Sequence, residues 1–420
     1  MEEPMVVEPL TRPPDVTVPL PGSKSITNRA LLAAAMADGT STLRGGLVAD
    51  DTDAMVGAAR ALGATVDLGE TAWTVTGTAG VARRELASVD ARQAGTVARF
   101  VPAVAAATGA TVRVDGSTQL RSRPMGPLLD ALRDLGAVVE EEGTPGHLPI
   151  TVKGPLPGST AQLPGDASSQ FLSGLLLAGP LHVAGLEVHL TTHLVSRPYA
   201  AMTAAVMAAF GAAAEIGDDV CRAASGGYRS ATYVVEPDAS AASYFWAAAA
   251  ITGGRVRIEG LGRASIQGDV AFADVLADMG ASVTVGDDAT EVTGARLHGI
   301  DVDLGQLSDT APTLAVVAAV ADSPTRVRGI GFVRTKESDR IAAVVEELRR
   351  CGVDAEEEPD GFVVRPNSVR PAVIDPHDDH RMAMAFAVLG LRVPGIEIAD
   401  PRCVSKTFPA YFDVLDTLRR

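Results

Sequence analysis

Cysteine and long apolar runs are both scarce in this sequence, and their scarcity narrows the class of protein. Only three cysteines occur among 420 residues, Cys221, Cys351 and Cys403, and none forms a CxxC pair. This spacing argues against a disulfide framework or a zinc site. No apolar run approaches the ~20 residues of a membrane span, and the acidic start lacks a basic-then-apolar signal pattern. We therefore expect a protein of a reducing, cytoplasmic compartment with no membrane partner.

Basic residues are in the minority, and lysine is the rarest of them. The net charge of −16 argues against nucleic acid as the main partner, since a phosphate backbone requires a basic surface. Four of the 36 basic residues are lysine: Lys24, Lys153, Lys336 and Lys406. Lys153 lies in a strand-like run, and chance explains it. The other three lie in polar motifs at apparent helix starts, where a compact charge with an adjustable pKa has uses that arginine lacks.

One pattern recurs at intervals of about 70 residues, which indicates a repeat architecture. The alternating runs at 111–114, 186–189, 255–258 and 395–398 are predicted strands. The first helix of each repeat is predicted to start at Ser25, Thr96, Ser169, Ser240, Thr310 and His380. The second helix is predicted to end at Gly63, Gly136, Gly211, Gly280 and Gly352, since glycine adopts a left-handed conformation there without a Cβ penalty.

Six such units predict an α/β fold with three units in each half. The chain is long enough, and at 46% hydrophobic apolar enough, to give two domains full cores. Crossovers are predicted near residues 232–237 and at 19–21, where prolines stiffen the chain. The predicted domains are residues 21–235, with repeats one to three, and residues 1–20 plus 236–420, with repeats four to six.

Polar clusters at the helix starts are predicted to bind anions, because a helix N-terminus exposes unpaired N–H groups and a partial positive charge. In the first cluster Lys24 and Arg29 bracket a helix start; it superficially resembles a P-loop, but the Walker spacing is absent. Helix capping alone, or a solvated ion pair, is the alternative for each cluster. The other clusters are residues 93–99, 121–124, 168–170, 196–199, 308–310, 336–340, 378–381 and 406–409.

The cluster at residues 336–340 places a carboxylic acid among cations. Lys336 and Arg340 are four residues apart and would share a helix face, with Glu337 close to both. An acid in such surroundings can give and take a proton. An exposed ion-pair cluster is the alternative.

No metal site is predicted. His377 and His380 are close in sequence, but neighbouring ligands at a suitable spacing are not evident. Helix capping combined with anion binding by Arg381 is the preferred interpretation of this stretch.

Taken together, these motifs resemble the EPSP synthase family of enolpyruvyl transferases. The resemblance covers essentially the whole chain, and the ordered set is far more specific than any single motif. The residues that carry it are Pro21-Gly22-Ser23-Lys24-Ser25 with Asn28-Arg29, Ala94-Gly95-Thr96 with Arg99, Arg123-Pro124, Ser168-Ser169-Gln170-Phe171-Leu172, Lys336-Glu337-x-Asp339-Arg340, Asp379-His380-Arg381-Met382-Ala383 and Asp400-Pro401-x-Cys403-x-x-Lys406-x-Phe408-Pro409.

The resemblance implies a two-domain inside-out α/β barrel of six βαβαββ repeats, three per domain. It also implies that the N-terminal strand returns to the domain with repeats four to six. The implied reaction transfers the enolpyruvyl group of phosphoenolpyruvate to the 5-hydroxyl of shikimate 3-phosphate and releases phosphate, without a metal or organic cofactor. We expect a monomer.

The resemblance also implies roles for individual residues. Asp309 would accept the hydroxyl proton, and Glu337 would protonate the enol methylene with help from Lys24. Thr96 belongs to the substrate-binding residues. The residues implied for shikimate 3-phosphate are Ser25, Arg29, Ser168, Ser169, Gln170, Ser196 and Lys336. Those implied for phosphoenolpyruvate are Lys24, Gly95, Arg123, Gln170, Arg340, Arg381 and Lys406.

Two positions depart from the family pattern, and two other functions remain open. Gln93 stands where asparagine is frequent, and Phe332 where a polar residue commonly contacts the substrate. Gly95 leaves room for a phosphonate mimic of phosphoenolpyruvate, so we expect sensitivity to glyphosate. The sister transferase of cell-wall synthesis, which acts on UDP-N-acetylglucosamine, usually has a reactive cysteine that residues 116–121 lack. A non-catalytic anion-binding repeat protein would bind phosphoenolpyruvate without releasing phosphate.

Overall fold

The computed structural model describes residues 4–81 and 86–419 and has a mixed α/β fold. The chain divides into two compact units. The first, here called the continuous unit, is Gly22–Glu236; the second, here called the split unit, joins Met1–Pro21 to Pro237–Arg420. Across the described ranges, no helix is long and apolar enough to cross a membrane.

The strands are short, and those predicted from alternation are confirmed. In the run at 111–115, for example, Val112 and Val114 are fully buried while their neighbours are partly exposed. The strands are Met5–Val7 (β1), Asp15–Thr17 (β2), Ala37–Asp38 (β3), Thr40–Arg44 (β4), Thr65–Leu68 (β5), Ala72–Thr76 (β6), Leu86–Asp90 (β7), Thr111–Asp115 (β8), Val138–Glu141 (β9), Ile150–Lys153 (β10), Thr160–Leu163 (β11), Leu186–Leu190 (β12), Ala214–Ile216 (β13), Val220–Ala223 (β14), Tyr228–Arg229 (β15), Thr232–Val234 (β16), Arg255–Glu259 (β17), Ser282–Val285 (β18), Ala289–Thr293 (β19), Asp301–Asp303 (β20), Thr325–Arg328 (β21), Asp354–Glu358 (β22), Gly361–Arg365 (β23), Ala372–Ile374 (β24) and Ile396–Ile398 (β25).

Helices alternate with these strands. The α-helices are Lys24–Met36 (α1), Asp50–Ala61 (α2), Gly95–Ala107 (α3), Thr118–Arg121 (α4), Gly126–Asp134 (α5), Ser169–Ala178 (α6), Arg197–Ala209 (α7), Ala239–Thr252 (α8), Phe272–Asp278 (α9), Ala311–Ala318 (α10), Arg340–Arg350 (α11), His380–Gly390 (α12) and Tyr411–Asp416 (α13). Short 3-10 helices span Gly179–Leu181, Gly268–Ala271, Ser308–Thr310, Gly331–Thr335, Pro401–Lys406 and Thr417–Arg419.

The first helix of each repeat begins within one residue of its predicted start, at α1, α3, α6, α8, α10 and α12. These helices are apolar on nearly all sides and are therefore buried. The second helices end as predicted, since the five glycines that follow them have φ between 76 and 109°. That left-handed conformation favours glycine over any residue with a Cβ.

The continuous unit contains three four-stranded sheets of one topology, ordered β16-β4-β6-β5, β7-β8-β10-β9 and β11-β12-β14-β13. In each sheet the first two strands are parallel and the remaining pairs are antiparallel. The sheet around β4 takes its parallel strand from β16, at the far end of the unit. Strands β15 and β3 form a second parallel pair between the end and the start of this unit.

The split unit repeats the topology in the sheets β18-β19-β17-β2 and β20-β21-β23-β22 and has a three-stranded sheet, β1-β25-β24. In this unit, residues near the start of the chain supply one strand to each of two sheets. Strand β2 pairs in parallel with β17, and β1 pairs antiparallel with β25. Helices α8, α10 and α12 pack against one another inside this unit, and their starts define one of the two polar sites.

Candidate active site

Three cations surround one carboxylate in the split unit. Asp309 lies in the 3-10 turn that precedes α10. Lys336 Nζ and Arg340 Nη1 each lie 2.9 Å from Asp309 Oδ1, and Arg381 Nη2 lies 2.7 Å from Oδ2. Charge-assisted bonds of this kind are strong and directional. Positive charge is thus concentrated locally in an otherwise acidic protein.

Arg340 connects this carboxylate to two others. Its side chain is only 2% exposed. Besides Asp309, it bonds Glu337, with Nη2 2.9 Å from Oε2, and Asp379, with Nε 2.8 Å from Oδ2. Lys406 Nζ lies 2.9 Å from the other Glu337 oxygen. A guanidinium presents five N–H groups in fixed directions. An anion that binds here can therefore accept hydrogen bonds that Arg340 and Lys406 now donate to these carboxylates.

The charges of this cluster perturb one another. Burial alone would raise the pKa of Asp309, but Arg381, Lys336 and Arg340 together hold that pKa well below its usual value. Burial lowers the pKa of Lys336, and the charge of Asp309 opposes that shift. The ring of Phe332 has its centroid 5.7 Å from Lys336 Nζ, within range of a cation–π contact. Asp309 is consequently ionised at neutral pH.

Ser240 links Arg381 to a further buried acid, Asp269. Ser240 Oγ donates to Asp269 Oδ2, and Arg381 Nη2 lies 3.5 Å from Ser240 Oγ. Burial, assisted by the nearby charge of Asp309, raises the pKa of Asp269 to about 6. Asp269 is not among the predicted site residues, because the run Gln267-Gly268-Asp269 contains no cation and resembles ordinary helix capping.

Replacing Asp269 by asparagine is expected to stabilise the protein at about pH 8 and to change its stability little at about pH 3.5. The pKa of Asp269 is about 6 in the folded state and about 3.9 when unfolded. Native protein binds the extra proton between these values, so stability falls as the pH rises through that window. Above it the ionised acid costs on the order of 3 kcal/mol. Urea unfolding at both pH values measures this difference, and a pH-independent difference would contradict it.

A second polar group joins the starts of α1, α3 and α6 in the continuous unit. Asn28 Nδ2 donates to Thr96 Oγ1 at 2.7 Å. A Cβ built on Gly95 would lie 3.1 Å from both Arg123 Nη1 and Gln170 Oε1. The missing side chain at Gly95 therefore lets a guanidinium and an amide approach the first N–H groups of α3.

Arg29 is buried and bonded to several parts of the continuous unit. Its Nε donates to Thr203 Oγ1 at 2.7 Å, its Nη2 to Ser173 Oγ at 3.2 Å, and its Nη1 to the Ser25 carbonyl at 2.9 Å. The ring of Phe100 lies 5.0 Å from the guanidinium carbon. Burial lowers the pKa of Arg29 to about 10, so the side chain is still cationic at neutral pH. Packing of α1, α6 and α7 fixes its position.

The predicted serines lie at the starts of α6 and α7. Ser168 caps α6, where its Oγ accepts from Gln170 N at 3.3 Å, and Ser169 is buried as the first residue of that helix. Ser196 precedes α7 with φ 49° and ψ 42° and is buried. A left-handed backbone is uncommon for serine, and such strained positions concentrate at ligand sites.

Glu346, Glu347 and His377 form the one group of possible metal ligands in the described residues. The Glu347 carboxylate accepts from Arg350 Nε at 2.9 Å and from Asp375 N at 3.1 Å, and His377 Nε2 lies 3.1 Å away. Because an arginine already occupies it, this carboxylate fits a structural ion pair better than a metal site.

The family model for EPSP synthase (3-phosphoshikimate 1-carboxyvinyltransferase) matches residues 12–415. The chain belongs to the EPSP synthase family. A 3-phosphoshikimate 1-carboxyvinyltransferase of Trichormus variabilis is 44% identical over 414 residues, 97% of each chain. One of Thiobacillus denitrificans is 45% identical over 416 residues, 96% of this chain and 97% of the relative.

Solved structures agree with this membership. An EPSP synthase of Acinetobacter baumannii superposes with a TM-score of 0.85 at 26% identity, covering 99% of this chain and 98% of that one. The enolpyruvyl transferase NikO of Streptomyces tendae shares the fold, with a TM-score of 0.77 at 20% identity over 100% of this chain and 98% of its own. The predicted α/β fold class and the predicted transferase class are confirmed.

The predicted site residues of this EPSP synthase family member fall into the two groups described above. Those in the split unit are Asp309, Lys336, Glu337, Arg340, Arg381 and Lys406. Those in the continuous unit are Lys24, Ser25, Arg29, Gly95, Thr96, Arg123, Ser168, Ser169, Gln170 and Ser196.

Three local predictions are wrong. Lys336 and Arg340 do not share a helix face, because α11 begins at Arg340 and Lys336 follows a 3-10 segment. Lys406 ends a 3-10 helix instead of starting a helix. The cluster at residues 121–124 does not start a helix, because Arg121 ends α4 and α5 begins only at Gly126. In each case a short polar turn resembles a helix start in the sequence.

Asp51 lies in none of the predicted polar clusters, and Asp379, although it lies in the predicted cluster 378–381, is not among the predicted site residues. Asp51 is buried on α2 and lies 3.3 Å from Lys24 Nζ. Asp379 caps α12 through Arg381 N at 3.0 Å and bonds Arg340 as well. Both belong to double-acid runs, Asp50-Asp51 and Asp378-Asp379, whose second member is buried. A paired acid at a helix start is the available sequence signal, and it is weak.

Proposed function

We propose that this protein transfers the enolpyruvyl group of phosphoenolpyruvate to the 5-hydroxyl of shikimate 3-phosphate and releases phosphate. The observation that carries the proposal is the pair of ionisable acids, Asp309 and Glu337, tied to one arginine, Arg340. Two acids in a positive field fit a reaction that moves two protons between two anionic substrates. The relatives that share this chain's length bear the name of that reaction.

Anion binding in the split unit follows from an exchange of partners. Arg340, Arg381 and Lys406 now donate to protein carboxylates. The carboxylate and phosphate of phosphoenolpyruvate offer acceptors of the same kind, so these donors can turn to the substrate. In the continuous unit, the helix starts at Lys24, Gly95, Arg123 and Gln170 are assigned to phosphoenolpyruvate, and Ser25, Arg29, Ser168, Ser169, Gln170 and Ser196 to shikimate 3-phosphate, with Lys336 of the split unit.

Asp309 is assigned to accept the proton of the 5-hydroxyl. In the free protein its pKa is held low by Arg381, Lys336 and Arg340 against the effect of burial, which makes it a weak base. When substrate anions engage those cations, less positive charge remains on Asp309, and its basicity rises. The hydroxyl oxygen can then bond to C2 of phosphoenolpyruvate while its proton passes to Asp309.

Glu337 is assigned to add a proton to C3 of phosphoenolpyruvate as the C2–O bond forms. Lys406 and Arg340 hold its two oxygens in the free protein. The resulting tetrahedral adduct loses phosphate when one of the three methyl protons is removed from C3, which restores the carbon–carbon double bond. Glu337 thus gives one proton and takes one back, the proton on Asp309 leaves with the phosphate, and the atoms balance without a cofactor.

The decisive experiment is release of inorganic phosphate from phosphoenolpyruvate with each candidate acceptor. We expect release with shikimate 3-phosphate and none above background with UDP-N-acetylglucosamine. Release with the nucleotide sugar alone would replace this proposal with the cell-wall transferase. Binding of phosphoenolpyruvate without release with either acceptor would leave an anion-binding protein.

Replacing Gly95 by alanine is expected to raise the KM for phosphoenolpyruvate about tenfold, because the new Cβ would lie 3.1 Å from Arg123 and Gln170 and displace them. Gly126→Ala is a matched control, since Gly126 also begins a helix and its Cβ would meet nothing closer than 4.0 Å. Steady-state kinetics of both variants test this. An unchanged KM in Gly95→Ala, or an equal rise in Gly126→Ala, would contradict the assignment.

A further inference from the structure

The segment that carries Lys336 and Glu337 has little regular structure of its own. It consists of the 3-10 helix Gly331–Thr335 and the four residues before α11. Lys336 and Glu337 lie at hydrogen-bond distance from Asp309 and Arg340, respectively. The segment therefore needs a support other than the hydrogen bonds of a regular helix. The hairpin of β22 and β23 lies against this segment, since Ile330 N donates to the Asp360 carbonyl at 2.8 Å.

Arg334 bridges that segment to the hairpin. Its Nη1 lies 2.8 Å from Asp339 Oδ2 and 3.1 Å from Glu357 Oε2. Its Nη2 donates to the Glu358 carbonyl at 2.8 Å, and its Nε to the Pro359 carbonyl at 3.3 Å. One guanidinium therefore joins the start of α11 to both the side-chain and the backbone acceptors of the hairpin.

The same bridge reaches the start of α11. Asp339 Oδ1 accepts from Ile341 N at 3.2 Å and Ala342 N at 3.1 Å, which caps the helix. Arg340, the arginine shared by three carboxylates, is the next residue. A shift of Asp339 would therefore move Arg340 together with the residues before it.

The hydrogen bonds and ion pairs of Arg334 contribute little to the stability of the fold, but they define the position of the segment closely. The side chains of Arg334 and Asp339 are 27% and 39% exposed, and partly exposed ion pairs contribute little to stability. The Arg334 guanidinium nevertheless bonds acceptors of four residues, one at the start of α11 and three in the hairpin, so it fixes both the distance and the angle between these two elements. Such a contact is better suited to placing a segment than to stabilising a fold.

We propose that Arg334 is a positioning residue that holds Lys336 and Glu337 in register with Asp309 and Arg340. It touches neither substrate nor the reacting atoms in this assignment. The proposal rests on the proposed function, because the groups it positions are those assigned to proton transfer.

The test compares Arg334→Gln with Arg326→Gln. Arg326 is a matched control because it pairs with Glu358 of the same hairpin at 2.8 Å and, within the described residues, makes no hydrogen bond to the 331–339 segment. We expect kcat to fall by about 10- to 100-fold in Arg334→Gln, since a displacement of about 1 Å can cost that much. Arg326→Gln should stay within about twofold of the parent protein.

The pH profile separates positioning from simple destabilisation. Asp309 faces Lys336, Arg340 and Arg381, with Asp269 beyond them. If Lys336 moves away from Asp309 in Arg334→Gln, one of the charges that lower the pKa of Asp309 is lost and that pKa rises. The acid limb of kcat should then move to higher pH in Arg334→Gln and stay in place in Arg326→Gln.

Each outcome decides the proposal. Equal activity in the two variants, or a loss in Arg334→Gln that leaves the acid limb unmoved, overturns it. If Arg334→Gln does not fold, Glu357→Gln removes only the hairpin carboxylate and should show a smaller loss with the same shift of the acid limb; parent-like behaviour there overturns it too. Absence of phosphate release by the parent protein would instead refute the proposed function.

Discussion

An Asp309→Asn variant is expected to lose about 10²- to 10⁴-fold in kcat, the range that a positioned general base supplies. The amide keeps the size of the side chain and one acceptor oxygen, but it cannot take a proton. Lys336, Arg340 and Arg381 lose the charge that all three now share. Phosphoenolpyruvate should therefore bind as tightly as before or more tightly, because its own charge meets less competition.

Phosphate release measures the kcat of this variant, and calorimetry measures its affinity for phosphoenolpyruvate. Asp301→Asn is a matched control, since Asp301 pairs with Arg328 at 2.6 Å on the outer face of the same unit and is 55% exposed. The control should keep parent-like kcat. A kcat for Asp309→Asn within tenfold of the parent, or a loss explained wholly by weaker binding, would remove Asp309 from the base role.

A Glu337→Gln variant is expected to lose kcat over a comparable range, about 10²- to 10⁴-fold. Glutamine keeps the size of the side chain and one acceptor oxygen, so it can accept from either Lys406 or Arg340, whose donors lie 2.9 Å from different carboxylate oxygens. It cannot deliver a proton to C3 of phosphoenolpyruvate. Binding of both substrates should survive, whereas formation of the tetrahedral adduct should not.

Solvent deuterium gives this variant a readout of its own. The parent protein, supplied with both substrates in heavy water, should place deuterium on the C3 methylene, and Glu337→Gln should not. The matched control is Glu356→Gln, because Glu356 pairs with Arg365 at 2.9 Å and is 58% exposed. Exchange at the parent rate in Glu337→Gln would show that another group carries the proton.

Several features of this protein could be predicted from sequence because they depend on neighbouring residues alone. The positive φ of Gly63 and Gly280 follows from the lack of a Cβ at a helix end. The strand at 111–115 follows from strict alternation, with Val112 and Val114 buried. Ordered motifs at the helix starts were enough to identify the family and, with it, most of the candidate site.

Local patterns misled where a polar turn and a helix start look alike. Lys336 and Arg340 were expected on one helix face, yet α11 begins at Arg340. Glu337 does contact Arg340, but its other partner is Lys406, 69 residues further along the chain. Spacing in sequence predicts contacts only after the extent of a helix is known.

Tertiary structure alone decided which charges meet. Arg340 joins Asp309 and Asp379, which are 31 and 39 residues away, because α10, α11 and α12 bring their starts together. Asp269 acquires a raised pKa only through burial beside Asp309. Such shifts depend on desolvation and on charges distant in sequence, and both are properties of packing. The sequence determined the elements, the polar motifs at the helix starts and the family. Packing determined the burial, the partners and the ionisation of the acids to which the chemistry is assigned.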